Sequence, residues 1–222
     1  MVAIITADLV DSSLYEEEFL NSVLNTLQSE FKKIQQEHGI KNVQFEIYRG
    51  DSFQGIIQDP KWALRMALQI KTAVNQIPSR ETSSGRALSK LADFNLALGI
   101  GSLDLQRDSI AESNGQAFQF SGRTLDGMKS ETQRTKIKTI DEDINEEFNT
   151  SFFLMDLLME KWSTASAEVV YYLMQGLKER EIAEKLKISQ SAVNQRKKAS
   201  GWEAIAKLVE RYENVMNKKL RP

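Results

Sequence analysis

The sequence predicts an α+β chain: a ferredoxin-like sheet domain over residues 1–145, then a small all-α domain over 146–222. Three observations predict it. Segments up to residue 140 follow the order strand, helix, hairpin, helix, strand, helix, strand, which suits an antiparallel-cored sheet with helices on one face. Strand signals stop after 141–148, "DEDINEEF", an acidic run suited to a boundary. The charge also changes sign: residues 1–150 hold 16 Lys/Arg against 22 Asp/Glu, and residues 151–222 hold 13 against 9. An acidic front and a basic tail suggest different work, with nucleic acid a candidate partner for the tail.

Val2 to Val10 is a nearly continuous apolar run, the pattern of a strand buried on both faces. Over 14–37, Phe19, Val23, Leu27, Phe31 and Ile34 recur at helical spacing before His38-Gly39, with His38 in a capping role. Val43, Phe45 and Ile47 alternate with polar residues, Gly50-Asp51 turns, and Phe53 to Ile57 returns as a hairpin. Pro60 opens a second helix that carries Trp62, Met66, Ile70, Val74 and Ile77. After the polar loop "PSRETSSGR", "FNLALGIGSLD" at 94–104 is a strand, 117–130 a helix and "TKIKTI" a short strand.

In the tail, "FFLMDLLMEKW" is apolar almost all round, which predicts a buried helix between domains or against a second subunit. Residues 179–200 have the pattern of a helix-turn-helix. Ala183 allows close helix approach, and Ile182, Leu186, Ile188 and Val193 fix the crossing. Ser189 N-caps the second helix, and helices at 164–175 and Trp202–Val215 complete the domain. That second helix presents Ser189, Gln190, Ser191, Asn194 and Gln195, followed by Arg196, Lys197 and Lys198. Amides there suit base edges in a major groove, and the cations suit phosphates. Lys187 stands where such turns commonly carry Gly. The same arrangement would also suit a dimerisation or protein-docking module.

With no cysteine, disulfides and thiolate metal sites are excluded. The N-terminus lacks a basic n-region and is too short to span a bilayer, so a cytoplasmic protein without membrane partners is expected. Arg49-Gly50-Asp51-Ser52 then reads as a hairpin tip and not as an adhesion tetrapeptide. Asp8 ends the first strand and Asp51 sits at that tip. Neighbouring carboxylates could hold Mg²⁺, which is bound through one or two carboxylates plus phosphates, although Asp is also common in turns.

Four stretches, "ITADLVDSS", "YRGDSFQGII", "LALGIGSLD" and "GQAFQFSGRTLDGMK", resemble the ordered blocks of class III nucleotide cyclases. The hairpin is similar to the GGDEF motif of diguanylate cyclases. The whole chain resembles the SatD family, which joins a cyclase-like palm to a helix-turn-helix tail; the tail itself is similar to LuxR-type regulators and sigma-factor region 4. The resemblance implies Asp8 and Asp51 as metal ligands and Arg123 as a transition-state cation. It implies Gln119 at a ribose-orienting Asn position, and Ser12 and Ser13 in the segment that cradles a triphosphate. Departures are as informative. Ile47 replaces a base-reading Lys, Asp11 adds a charge that repels phosphate, and no downstream Lys aligns, although Lys136 and Lys138 lie in a strand. The expectation is a DNA-binding transcriptional regulator whose palm has lost cyclisation, binds Mg²⁺ with a nucleotide or mediates homodimer formation. The alternatives are a Mg-dependent nucleotide-processing enzyme of the cyclase type and an inert palm on a docking module.

Overall fold

The computed structural model describes residues 1–48, 50–78, 91–105 and 110–219. Most of the polar loop after Pro78, and Arg49 of the hairpin tip, lie outside the described residues. The elements are β1 (Val2–Leu9), α1 (Glu17–His38), β2 (Val43–Tyr48), β3 (Ser52–Ile57), α2 (Ala63–Val74), β4 (Phe94–Gly101), α3 (Gln116–Met128) and β5 (Thr135–Lys138). Then come α4 (Glu142–Met159), α5 (Thr164–Met174), α6 (Glu179–Leu186), α7 (Gln190–Ala199) and α8 (Trp202–Lys219). The class is α+β, and α2 ends at Val74 and β4 at Gly101, each three residues short of the sequence reading.

Sheet order is β2-β3-β1-β4-β5. The first four strands are antiparallel, and β5 joins β4 in parallel. β1–α1–β2–β3–α2–β4 is thus a ferredoxin-like βαββαβ unit, in which β1 sits centrally because its run is apolar on both faces. Ala3, Ile5, Ala7 and Leu9 share one core with α1 and α2. Val2 and Ile4 point the other way, into a cluster with Ala117 of α3.

Here the structure corrects the expectation of helices on a single face. α1 and α2 cover one side of the sheet and α3 covers the other, since a strand without a polar face needs a cover on both sides. The close approach of α3 requires Gly99. A Cβ on that residue would lie 2.1 Å from the Ala117 carbonyl and 2.5 Å from the Ser121 nitrogen. Thr6 Oγ1 donates to Ser121 Oγ at 2.8 Å across the same interface.

The α1–α2 core continues without a break into Ile144, Phe148, Phe152 and Met155 of α4, Val170 of α5 and Tyr212 of α8. The 145/146 position falls inside the first turn of α4. A polar contact ties the layers: buried Glu30 of α1 accepts from Tyr171 of α5 and from Gln69 of α2. Lys33 donates to the same phenol at 2.9 Å. The expectation of an α4 buried between domains or against a second subunit is met within the single chain on one side of the helix. Phe153, Leu154 and Leu157 are exposed, because the core covers only the Phe148–Phe152–Met155 side of the helix.

α5, α6 and α7 enclose a small separate core of Val169, Ile182, Ala183 and Val193. α6 and α7 are joined by Lys187, Ile188 and Ser189. Lys187 takes the left-handed conformation at φ 55°, the geometry that Gly would adopt without steric cost.

Candidate functional site

Strand register gathers the first site. Asp8 pairs with Ser52, and Ser52 pairs with Tyr48, so all three project on the α3 side of the sheet. The next row on that side is Thr6, Gln54 and Glu46. Ser52 Oγ lies 2.6 Å from Asp8 Oδ1 and 3.3 Å from Asp51 Oδ1, while Ser12 Oγ donates to Asp51 Oδ2 at 2.8 Å. The two aspartates therefore stand within two hydrogen-bond lengths of each other, bridged by a hydroxyl. Gly50 makes the tip possible by taking φ 79°, and Leu9 N donates to the Asp51 carbonyl at 2.9 Å to lock tip to strand.

Among the described residues no Lys, Arg or His forms an ion pair with Asp8 or Asp51, and their partners are neutral hydroxyls. Two half-buried carboxylates that meet no counter-charge among the described residues suit a hard cation. No group of three or more His, Cys, Asp or Glu is assembled among the described residues, so any ion held there would draw further ligands from water or a phosphate.

The loop after β1 is held by charge from beneath. Lys71 of α2, 2% exposed, pairs with Asp93 at 2.6 Å and donates to the Phe94 carbonyl at 2.7 Å. Val10 N in turn donates to the Asp93 carbonyl, fixing the exit of β1. Asp11 is left-handed at φ 57° and opens a 3-10 turn over Ser12–Leu14. Burial pushes the Tyr15 phenol up to about 12, and the charges of Asp93 and Asp11 add to the shift.

Ser13 is exposed beside Ser12, and Gln119 and Arg123 are exposed on α3, whereas the side-chain partners of the two aspartates among the described residues are Ser12 and Ser52. Ile47 packs into the α1–α2 core, on the side of the sheet away from Asp8. Lys136 and Lys138 lie in β5 and are paired with Glu131 and Glu142, both at 2.5 Å. Sequence reasoning overlooked Ser52, the atom that links the two carboxylates. Its signal was available in the parity of the hairpin, which puts Ser52 opposite the end of β1.

The second site is α7. Ser189 Oγ accepts from Ala192 N at 3.1 Å, the cap expected at this position. Gln190, Asn194 and Lys198 follow at four-residue spacing, flanked by Ser191 and Gln195, so five polar side chains form one stripe. Gln190, Ser191, Gln195 and Lys198 are exposed. Arg196 lies off that stripe, and Lys197, three residues after Asn194 and seven after Gln190, lies along its edge. Arg196 reaches Glu168 at 3.4 Å, and Lys197 reaches Glu179 at 3.3 Å and Glu203 at 2.8 Å. Asn194 Nδ2 lies 3.4 Å from both oxygens of Glu179. Sequence spacing did not reveal these glutamates as partners.

No protein-family model matches the chain, and no curated protein does. Solved structures do. The monomeric guanylyl cyclase domain of the RhoGC fusion protein from the aquatic fungus Blastocladiella emersonii is 20% identical, covering 68% of this chain and 85% of that one at TM-score 0.38. A bacterial light-regulated adenylyl cyclase is 14% identical over 61% and 74%, at TM-score 0.39. The catalytic core of a rhodopsin-guanylyl cyclase in complex with ATPalphaS is 19% identical over 56% and 71%, at TM-score 0.36. No described helix is long and apolar enough to cross a membrane.

Proposed function

We propose that this chain is a DNA-binding transcriptional regulator whose helix-turn-helix is α6–turn–α7, joined to a sheet domain that binds Mg²⁺ with a nucleotide without turning it over. The observation that carries the reading is the exposed stripe of Gln190, Ser191, Gln195 and Lys198 on a capped second helix. Amides at the start of such a helix suit base edges, and Lys198 suits a backbone phosphate. The positive balance of residues 151–222 supports it. Two half-sites would require a homodimer. The exposed apolar row Phe153, Leu154 and Leu157 on α4 suits contact with a second copy, because such a row is costly to leave in water.

The test is fluorescence anisotropy of the full chain against a library of labelled genomic duplexes at 50 to 200 mM salt. Binding should weaken linearly on a log–log plot, and Lys198→Ala should reduce the slope by about 0.9, the value of one phosphate contact. Gln190→Ala with Gln195→Ala should flatten the preference among fragments. Absent or salt-independent binding would refute the assignment.

A second observation favours a ligand at the sheet: Asp8 and Asp51 have only neutral hydroxyl partners among the described residues. Magnesium bound there would supply positive charge to the phosphates of a nucleotide. Asp8 and Asp51 would hold the ion, and Ser52 and Ser12 would orient the two carboxylates. Calorimetric titration with Mg²⁺ plus ATP or GTP should give heat in the native protein and none in Asp8→Asn/Asp51→Asn. Turnover abolished by Asp51→Asn would instead favour the nucleotide-processing enzyme, with Arg123 as its cation.

A further inference from the structure

The cations of α7 are not equivalent. Lys198 is exposed and makes no ion pair among the described residues, whereas Lys197 is four-fifths covered and lies between two carboxylates. One of these, Glu179, opens α6 and is 22% exposed at its side chain, so water screens it weakly. The same carboxylate faces the Asn194 amide through both oxygens. The second, Glu203, opens α8 and is mostly in solvent. Glu179 thus reaches two members of the segment that sequence spacing assigned to DNA, one amide and one cation, from the neighbouring helix.

We propose that Glu179, assisted by Glu203, is a built-in brake on DNA binding. It occupies Lys197 and Asn194 within the protein and sets a carboxylate beside the reading stripe. This rests on the DNA-binding reading above. A phosphate that approaches Lys197 must displace a carboxylate already at contact distance, and it meets the repulsion of that carboxylate while doing so. The brake also sharpens base reading, since the amides left free are Gln190 and Gln195 at the exposed rim of the stripe. The Lys197 ammonium is held above its usual range, first by Glu203 and then by Glu179, so it stays charged throughout the neutral range.

The experiment compares the full-length protein with Glu179→Gln/Glu203→Gln on a labelled duplex of about 30 base pairs across the same salt series. Both proteins are first checked for matching thermal melts. The variant should gain one phosphate contact, so its salt slope should steepen by about 0.9 and its affinity at 0.1 M salt should rise roughly eight-fold. Adding Lys197→Met should return both values to those of the native chain. Glu179→Gln alone should give a smaller gain of the same sign, which keeps the test available if the double variant melts early. An unchanged slope and affinity in a folded variant that still binds would overturn the brake and leave the DNA-binding reading standing. Loss of the gain's dependence on Lys197 would overturn it too. No binding by any protein at 50 mM salt would overturn the DNA-binding reading itself.

Discussion

Gly99→Ala should be among the most damaging one-carbon changes in this protein, and the reason lies in the seat of α3 on β4. The added Cβ would sit 2.1 Å from the Ala117 carbonyl oxygen, 2.5 Å from Ser121 N and 2.9 Å from Ser121 Cβ. The two nearest obstacles are backbone, so no rotamer change clears them. Ordinary contact begins near 3.4 Å, so α3 must retreat by about 1.3 Å, the difference from the closest approach. That displacement would break the 2.8 Å bond between Thr6 and Ser121, whose side chains are buried. Overpacking costs about 1–3 kcal/mol, and the lost bond adds about 1 kcal/mol. At roughly 2–4 °C per kcal/mol for a chain of this size, Tm should fall by about 5–15 °C. Gly122 is the internal control. It lies on the same helix with nothing within 4 Å of its would-be Cβ, so Gly122→Ala should stabilise by up to about 1 kcal/mol. Circular dichroism melts of both variants measure the pair. A Gly99→Ala melt within 2 °C of native, by the ~2–4 °C per kcal/mol scale, would refute the seat as described.

Three further outcomes are expected. Lys187→Gly should raise stability by about 0.5–1 kcal/mol, since Gly adopts the left-handed turn without the penalty a Cβ carries, less its greater freedom when unfolded; urea titration reads it. Alkali should unfold the protein cooperatively, because burial raises the Tyr15 phenol to about 12 and raises Tyr171 and Tyr212 further. A raised phenol leaves its contribution intact below the unfolded value near 10 and loses it as pH climbs through the folded value. Each such tyrosine should therefore lower stability by up to about 1.4 kcal/mol per pH unit over that window. Absorbance at 295 nm should show these phenols ionising only with unfolding, and early, non-cooperative ionisation of all five tyrosines would contradict their burial. If the proposed homodimer forms through this face of α4, Leu154→Glu with Leu157→Glu should give monomers in sedimentation velocity while the far-ultraviolet circular dichroism spectrum at 25 °C stays native, as both side chains are exposed on the single chain.

Much of the chain was legible before any coordinates, because periodicity reports the local requirement for burial. The two-faced apolar runs of Val2–Leu9 and Phe94–Gly101, the alternation of the hairpin and the helical spacing of Phe19 to Ile34 each specify an element from nearest neighbours alone. Ser189 could be recognised as a cap because capping involves only the next three residues. The pairing of Asp8 with the hairpin tip followed from strand polarity. What the sequence could not decide is which surfaces meet. Periodicity tells that a strand needs cover on both sides and does not say which helix supplies each cover, so the position of α3 opposite α1 and α2 emerged only from packing at Gly99. The same holds for charge. Glu168, Glu179 and Glu203 are ordinary surface residues in sequence, and only the crossing of α5, α6, α7 and α8 brings them to Arg196, Lys197 and Asn194. Composition counts charges one by one, whereas their availability to a partner depends on distances that only the tertiary fold sets.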